Sequence, residues 1–159
     1  MKLEEKVVKL LLEKKLVIAC AESCTGGLIA KRITDVSGSS AVFNCGIVSY
    51  SNKIKEKVLN VKNETLKEFG AVSEQTVCEM VKGVLEISGA DIAVSVSGIA
   101  GPNSDNTDKP VGLIYLAVSD GEKITVKKLN NQFTTDVRNS NRISASDEAL
   151  KMILEMIGE

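Results

Sequence analysis

Hydrophobic residues recur at different spacings along the chain, and each change of spacing predicts a change of secondary structure. Residues 3–13 show helical spacing, which predicts an amphipathic helix at the start of the chain. The next apolar run, residues 16–21, is short and ends in polar residues, as a buried strand does. Helical spacing resumes after Thr25-Gly26-Gly27, so a strand, a polar turn and a second helix are predicted in succession.

The middle of the chain alternates between strand and helix signals. Residues 42–50 and 91–97 are apolar and rich in β-branched side chains, so each is predicted to form a strand. Between them, Asn52 and Asn63 are predicted to cap two short helices. Ser73 is predicted to be the N-cap of a longer helix with a continuous apolar stripe.

The last third begins with a loop and continues as a hairpin. Residues 98–110 are rich in Gly, Asn, Asp and Pro, which is typical of a loop. Residues 111–119 and 123–130 are predicted as two strands, because Asp120-Gly121 between them is a hairpin signal. A final helix carries its apolar residues on one face, namely Ala149, Leu150, Ile153, Met156 and Ile157.

This order of elements predicts an α/β fold, a three-layer α/β/α sandwich formed by residues 1–159 as a single domain. Strands separated by helices pair in parallel, and the late hairpin adds an antiparallel strand. We therefore expect a mixed, mostly parallel sheet of about five strands. Ligands of such sheets bind beyond the carboxyl ends of the strands, which favours the loops at residues 22–27 and 98–110.

Charge and hydropathy narrow the possible partners. Lys and Arg total 20 and Asp and Glu total 21, for a net charge of −1. A protein that holds nucleic acid by neutralising phosphates has a strong positive excess, so no nucleic-acid partner is expected. No stretch approaches the ~18 uncharged apolar residues of a membrane-spanning helix, so no membrane partner is expected.

Cysteine usage and the first residues of the chain predict a cytoplasmic location. The opening segment MKLEEKVVKLLLEKK is charged throughout, unlike a signal peptide. The four cysteines are too few for a secreted disulfide framework, and we expect free thiols in a reducing compartment.

The chain contains no histidine. A Ser-His-Asp triad, a Cys-His pair and a histidine-ligated zinc site are therefore excluded. Cys20 and Cys24 lack the second close pair that completes a structural zinc site, so we expect neither a metal nor a cofactor. Acid–base chemistry near neutral pH is left to Lys, Tyr, Cys, Asp, Glu or water.

The turn Ala21-Glu22-Ser23-Cys24-Thr25-Gly26-Gly27 is the first candidate site. A serine between a buried strand and a helix projects from the sheet edge, and the following backbone N–H groups favour an oxyanion or a phosphate. One interpretation is a nucleophile at Ser23, with Thr25, Gly26 and Gly27 on the oxyanion side. The alternative is a polar helix cap whose glycines serve packing.

Lys55 and Tyr50 are the candidate bases for such a serine. The simple interpretation of Lys53, Lys55 and Lys57 is a solvated helix face. A catalytic lysine needs its pKa lowered from about 10.4 to about 7–8, and the like charges of Lys53 and Lys57 would act on Lys55 in that direction. Tyr50, at the end of its strand, is the other candidate.

Two further segments are candidates for substrate binding. The small residues of the loop at Ser97, Gly98 and Gly101 would let a phosphate or sugar approach the backbone closely. Arg138 and Arg142 lie four residues apart and share one helix face, either as a solvated pair or as a phosphate clamp.

Five segments in the same order resemble the C-terminal domain of the CinA (competence-damage-inducible) family: AESCTGGLIA, SGSSAVFNCGIVSYSNKIK, GAVSE, SGIAGP and KPVG. That family includes nicotinamide-nucleotide amidases, which convert nicotinamide mononucleotide and water to nicotinate mononucleotide and ammonia. The resemblance implies an α/β/α fold, a metal-free serine amidohydrolase with lysine in place of histidine, and a homo-oligomer, with a dimer favoured.

The resemblance also assigns roles to residues of this chain. The motif serine falls on Ser23, the lysine on Lys55, the tyrosine on Tyr50 and the loop lysine on Lys109. The resemblance implies that the 5′-phosphate of the substrate is held by some combination of the Gly98–Gly101 loop, Lys109 and the two arginines. Family members show a Gly-Asp-Arg stretch and a second arginine four residues later; here the glycine is absent and one residue is inserted before Arg138.

The mechanism that the resemblance implies is acyl transfer. Ser23 attacks the carboxamide, neutral Lys55 takes and later delivers the proton, and N–H groups around Thr25 and Gly26 hold the oxyanion. Two alternatives stay open. One is a non-catalytic nucleotide-binding or competence-associated module of the same fold. The other is a thiol hydrolase that uses Cys24, because its position beside a helix N-terminus is expected to lower the pKa of the thiol.

Overall fold

The computed structural model describes residues 1–158, over which helices and strands alternate as the hydropathy pattern predicts. The strands are β1 Ile18–Glu22, β2 Phe43–Val48, β3 Ile92–Gly98, β4 Leu113–Ser119 and β5 Ile124–Asn130. The helices are α1 Leu3–Lys14, α2 Leu28–Thr34, α3 Asn52–Leu59, α4 Asn63–Phe69, α5 Glu74–Ser88 and α6 Val137–Ile157, with a 3-10 turn at Ser39–Ala41.

The five strands form one sheet in the order β2-β1-β3-β4-β5. Strand β1 is parallel to both β2 and β3, whereas β4 is antiparallel to β3 and to β5. The predicted mixed α/β sheet is confirmed, but the parallel part is only β2-β1-β3. The connection at residues 99–112 contains no helix to cross the face of the sheet, and it returns as an antiparallel neighbour.

Helices cover both faces of the sheet, and side chains alternate between the two along each strand. Ile18 and Cys20 pack into a cluster with residues of α1, α2 and α6. Ala19 and Ala21 pack into a second cluster with residues of α3 and α5. This alternation decides which helix layer receives each residue that follows β1.

Two of the predicted helix caps differ from those in the structure. Ser51, not Asn52, is the N-cap of α3, and its Oγ accepts a hydrogen bond from the backbone N–H of Ile54 at 3.2 Å. Lys62 precedes α4 at the position predicted for Asn63. In both cases asparagine occupies the first helical position, where its side chain is one residue too late to cap. The predicted cap at Ser73 is confirmed.

None of the helices found between residues 1 and 158 is both long enough and apolar enough to cross a membrane.

Candidate active site

A cavity of about 240 Å³ lies at the carboxyl ends of β1 and β3. The loops that follow these strands, predicted to converge, both contribute to its walls, together with α3, α6 and the α4–α5 connection. The lining residues are Ser23, Cys24, Tyr50, Asn52, Lys55, Ala71, Val72, Ser97, Gly98, Ile99, Ala100, Gly101, Asn103, Ser104, Asp105 and Arg138.

Ser23 follows β1 directly and lies in a tight turn. Its backbone N–H donates to the carbonyl of Val96 at 3.1 Å, which continues the pairing of β1 with β3 for one more residue. Its carbonyl accepts from the N–H of Gly26 at 3.0 Å, which closes the turn. The serine is 7% exposed and its hydroxyl lines the cavity, so the turn presents a single buried hydroxyl to a ligand.

Glu22 is buried and caps helix α2 from the preceding strand. Its carboxylate accepts from the backbone N–H groups of Ile29 at 2.9 Å and Ala30 at 3.0 Å. The helix needs this external cap because Gly27, with φ of 97°, occupies the N-cap position and has no side chain to offer. Sequence analysis missed this role, although an acidic residue shortly before a glycine at a helix start is a usable signal.

Lys55 is buried on α3 and contacts the serine. Its Nζ donates to Ser23 Oγ at 3.0 Å and to the backbone carbonyl of Ser49 at 2.8 Å. Ser49 in turn binds the carbonyl of Glu22 through its N–H at 2.8 Å and its hydroxyl at 3.2 Å. The amine and the serine are therefore held by one connected backbone frame.

Burial lowers the pKa of Lys55 from 10.5 to about 8, and Cys24 opposes this change. The physical reason is that removal from water disfavours the charged form of the amine. The like charges of Lys53 and Lys57 were predicted to lower this pKa. Both of those lysines are exposed, and burial is the cause instead.

Cys24 lies beside the serine but has an unreactive thiol. Burial raises its pKa from 9.0 to about 12, and the nearby Glu22 carboxylate acts in the same direction. The helix N-terminus was expected to lower this pKa, but desolvation of the thiolate is the larger effect. The thiol therefore stays protonated at neutral pH.

Tyr50 and Arg138 form a polar pair at the cavity. The Tyr50 hydroxyl accepts from Arg138 Nη2 at 2.8 Å, and Arg138 Nη1 donates to the carbonyl of Gly101 at 2.7 Å. Tyr50 is 59% exposed, in contrast to the buried Lys55. Arg138 thus connects α6 to the loop after β3 while its guanidinium borders the cavity.

Ser97 is buried and lines the cavity from the end of β3. By strand alternation it projects toward the same helix layer as Ser23. Its hydroxyl has no hydrogen-bond partner within residues 1–158. Gly98 and Gly101, the other loop residues predicted for substrate binding, also line the cavity.

Five of the residues predicted for the site do not contribute to the cavity walls: Thr25, Gly26, Gly27, Lys109 and Arg142. Arg142 Nη2 donates to the carbonyl of Thr25 at 2.9 Å, so it braces the serine turn. Lys109 donates to the carbonyls of Phe69 and Val72. The structure thus separates the two arginines, with Arg138 at the cavity and Arg142 behind the turn.

Several lining residues were missed by the sequence analysis. Asn52 lies three residues before Lys55 on α3, and that spacing was a usable signal. Asn103, Ser104 and Asp105 belong to the loop that was expected to bind a ligand, but nothing in the sequence singled them out. Ala71 and Val72 carry no polar side chain to mark them.

The charged groups of the cavity lining are Lys55, Arg138 and Asp105. Two basic groups and one carboxylate suit an anionic organic ligand better than a metal ion. In the described part of the chain, residues 1–158, His, Cys, Asp and Glu form no cluster of three or more that is suited to a metal.

Comparison with known proteins places the chain in a family. The model of the CinA C-terminal domain matches residues 1–157. The chain belongs to the CinA C-terminal domain family. Its members provide relatives both in sequence and in structure.

Two relatives in sequence differ in length. The chain is 52% identical over 139 residues to a nicotinamide-nucleotide amidohydrolase PncC from Enterobacter agglomerans, covering 86% of this chain and 82% of the relative. It is 53% identical over 127 residues to a putative competence-damage inducible protein from Thermoanaerobacter pseudethanolicus, covering 80% of this chain. The match spans only 31% of that longer relative.

Solved structures of CinA proteins share the fold. A CinA superfamily protein from Klebsiella pneumoniae superposes with a TM-score of 0.93 at 31% identity, over 98% of this chain and 95% of the other. A competence/damage-inducible protein from Agrobacterium tumefaciens gives a TM-score of 0.88 at 37% identity, over 100% and 98%.

Proposed function

We propose that this protein hydrolyses the carboxamide of nicotinamide mononucleotide to nicotinate mononucleotide and ammonia. The observation that carries the proposal is the hydrogen bond of 3.0 Å between the buried amine of Lys55 and the hydroxyl of Ser23 at a cavity. The likeness to an amidohydrolase of similar length supports the choice of substrate.

In the proposed first step, Ser23 Oγ attacks the carboxamide carbon. As the Oγ–C bond forms, the hydroxyl proton passes to neutral Lys55 and the carbonyl π electrons move onto oxygen. The tetrahedral intermediate then breaks its C–N bond, and Lys55 returns the proton to the departing nitrogen, which leaves as ammonia. A buried amine with a pKa near 8 is neutral often enough to serve as this base.

In the second step, water hydrolyses the nicotinoyl ester of Ser23. Lys55 takes a proton from the water, the new C–O bond forms, and the Oγ–C bond breaks as Ser23 recovers its proton. Atoms and charge balance without a redox partner, so the proposed chemistry uses no cofactor and no metal.

The oxyanion is assigned to the backbone N–H of Cys24, which lines the cavity, and not to that of Thr25, which does not. The Cys24 N–H donates to no other residue within residues 1–158, whereas the N–H of Gly26 is committed to the carbonyl of Ser23. The N–H that follows a nucleophile at a strand-to-helix turn is well placed for this role. Gly26, which was expected to contribute, therefore shapes the turn instead.

Substrate binding is assigned to Ser97, Gly98, Gly101 and Arg138, which line the cavity. The unpaired hydroxyl of Ser97 is available to the carboxamide or to the attacking water. Arg138 offers a guanidinium to the phosphate, since arginine binds phosphate through paired N–H donors.

Two catalytic alternatives have weaker support. The Tyr50 hydroxyl is paired with Arg138 and exposed, while Lys55 contacts the serine, so we assign Lys55 as the base and Tyr50 to substrate positioning. Cys24 has a pKa of about 12, which disfavours the thiolate that a thiol hydrolase needs.

A non-catalytic competence-associated module is the second candidate function, favoured by the names of longer relatives. The test is to incubate the pure protein with nicotinamide mononucleotide and to measure ammonia and nicotinate mononucleotide. Turnover that is lost in Ser23→Ala supports the enzyme. Binding of the nucleotide without turnover by the parent protein supports the module.

Location and assembly complete the proposal. All four cysteines are free thiols, two of them buried, which supports a reducing compartment such as the cytoplasm. The homo-oligomer that the family resemblance implies is proposed as a dimer, to be measured by analytical ultracentrifugation.

A further inference from the structure

Lys109 connects two walls of the cavity although it lines neither. It lies near the end of the loop after β3, whose residues 98–105 form one wall. Its Nζ donates to the carbonyls of Phe69 at 2.5 Å and Val72 at 2.6 Å, in the connection between α4 and α5. That connection provides the lining residues Ala71 and Val72, and Val72 packs against Ile99 of the loop.

The α4–α5 connection is shaped to receive this amino group. Phe69 is the last residue of α4, and carbonyls at a helix C-terminus are free acceptors with partial negative charge. Gly70 follows with φ of 79°, and a Cβ built there would lie 3.1 Å from Lys109 Nζ. Glycine therefore leaves the space that the amino group occupies.

The carbonyl of Gly70, between the two residues that Lys109 contacts, is held by other groups. The Gly70 carbonyl accepts from Ser73 Oγ at 2.9 Å and from Thr76 Oγ1 at 2.7 Å, both at the start of α5. Lys109 thus completes a connection that α5 already fixes on one side.

On its own side, Lys109 is tied to a cavity residue by a short local network. Its backbone N–H donates to Thr107 Oγ1 at 3.2 Å, and Thr107 Oγ1 donates to Asp105 Oδ1 at 2.5 Å. Asp105 lines the cavity. A contiguous set of polar contacts therefore runs from one wall through Lys109 to the other.

We propose that Lys109 is a positioning residue, a clamp that holds the loop at residues 99–110 against the α4–α5 connection and so keeps the cavity in its binding-competent shape. This differs from the substrate contact that the family resemblance implied for it. The kinetic part of the proposal rests on the proposed amidase function, whereas the structural part does not.

Loss of the Lys109 contacts should weaken ligand binding by reducing the fraction of molecules that are competent to bind. Without the clamp the two walls separate more often, and the apparent affinity for a ligand falls by the fraction of molecules still competent to bind. The chemical step is less affected, because the serine, the lysine base and the oxyanion donor are fixed by β1, α3 and the serine turn.

The experiment compares Lys109→Met with Lys109→Arg and with Lys67→Met, a control on the exposed surface of α4. Backbone hydrogen exchange is followed by mass spectrometry on the free proteins, and kcat and KM are measured with nicotinamide mononucleotide. For Lys109→Met we expect faster exchange confined to residues 70–73 and 99–110, and KM raised about 10-fold with kcat changed less than about 3-fold. Lys109→Arg can still donate to two carbonyls. Its hydrogen exchange in the two segments and its KM should therefore be close to those of the parent protein.

Unchanged exchange in both segments of Lys109→Met would overturn the clamp, and so would faster exchange spread equally over α1 and β5. Faster exchange in residues 70–73 and 99–110 of Lys109→Met with an unchanged KM would overturn the role of Lys109 in binding. If the parent protein has no amidase activity, the proposed function fails, and the exchange pattern still decides whether Lys109 joins the two walls.

Discussion

The amine of Lys55 lies 3.0 Å from the hydroxyl of Ser23, although 32 residues separate the two in sequence. Both side chains are buried, and both are anchored to the same short stretch of backbone. Ser49 accepts the second hydrogen bond of the amine and binds the carbonyl of Glu22, the residue before the serine. The pair is thus fixed by main-chain contacts, which gives a proton acceptor a constant distance from its donor.

Replacing the proposed nucleophile tests the chemistry most directly. Ser23→Ala should abolish ammonia release from nicotinamide mononucleotide, because no hydroxyl remains to form the acyl enzyme. Far-ultraviolet circular dichroism should show that the fold survives. Cys24→Ala should keep at least about a tenth of the activity, because the thiol is protonated and unreactive. A dead Cys24→Ala beside an active Ser23→Ala would reverse the assignment.

Replacing the proposed base, Lys55, should lower the activity almost as much as replacing Ser23. Lys55→Ala is expected to lower kcat by about 10²–10⁴-fold, the usual contribution of a positioned general base. Lys55→Arg should be nearly as damaging, because a guanidinium remains protonated. Lys53→Ala is the matched control, since that lysine is exposed on the same helix, and it should be mild. Near-normal turnover by Lys55→Arg would move the role of base to Tyr50.

The pH dependence of the rate should report the ionisation of the same amine. With a pKa of about 8, Lys55 loses its proton as the pH rises from about 7 to about 9, and the neutral form is the active one. The value of kcat/KM should therefore rise with pH through a single ionisation near 8, measured by ammonia release. A profile that is flat from pH 6 to 10 would contradict a lysine base.

Stability should depend on pH through Lys55 as well. Its pKa is about 8 when folded and 10.5 in the reference state, so between these values the unfolded chain binds more protons. The free energy of unfolding therefore gains a contribution as pH rises through this window, on the order of 3 kcal/mol when complete.

Comparison with Lys55→Met isolates this contribution. The buried thiols act in the opposite direction, because their raised pKa values reduce stability as the unfolded chain loses protons first. They are common to both proteins and cancel in the difference, apart from the smaller interaction between Cys24 and Lys55. The free energy of unfolding is measured with urea for both proteins at pH 7 and at pH 10.5. The value for the parent minus the value for Lys55→Met should be larger at pH 10.5. An equal difference at both pH values would refute the lowered pKa.

The two arginines of α6 should give different kinetic signatures. Arg142→Met should lower kcat about 10-fold with little change in KM, because its guanidinium braces the serine turn through the carbonyl of Thr25. Arg138→Met should mainly raise KM, because Arg138 borders the cavity. Steady-state kinetics of both variants decide between these roles, and a raised KM in Arg142→Met would restore the phosphate clamp.

Local patterns were sufficient to predict most of the fold. The strand at residues 16–21 and the turn at Thr25-Gly26-Gly27 were recognisable because apolar runs and glycines act over a few residues. The antiparallel pairing of β3 with β4 was not predicted, because it depends on the absence of a helix from the connection at residues 99–112. The caps at Ser51 and Lys62 were missed by one residue, a shift that no periodicity resolves.

The sequence predicted which residues belong to the site better than it predicted the contacts that those residues make. Ser23 and Lys55 were proposed from the lack of histidine and from the family resemblance, and the structure brings them together. Lys109 and Arg142 carry the charge that a phosphate site needs, yet neither lines the cavity, and each donates to a backbone carbonyl. A sequence shows that a cation is present but not whether another part of the chain already occupies its hydrogen-bond donors.

Glu22 and Ser23 are adjacent in sequence and serve opposite sides of the sheet, the carboxylate at the start of α2 and the hydroxyl at Lys55. A deletion of one residue within β1 would exchange these directions. It would leave α2 without its carboxylate cap and would put a carboxylate beside the buried amine. The register of β1 therefore determines both the contact between Ser23 and Lys55 and the cap of α2. A one-residue insertion or deletion in this strand should prevent folding, and should not yield a folded but inactive protein.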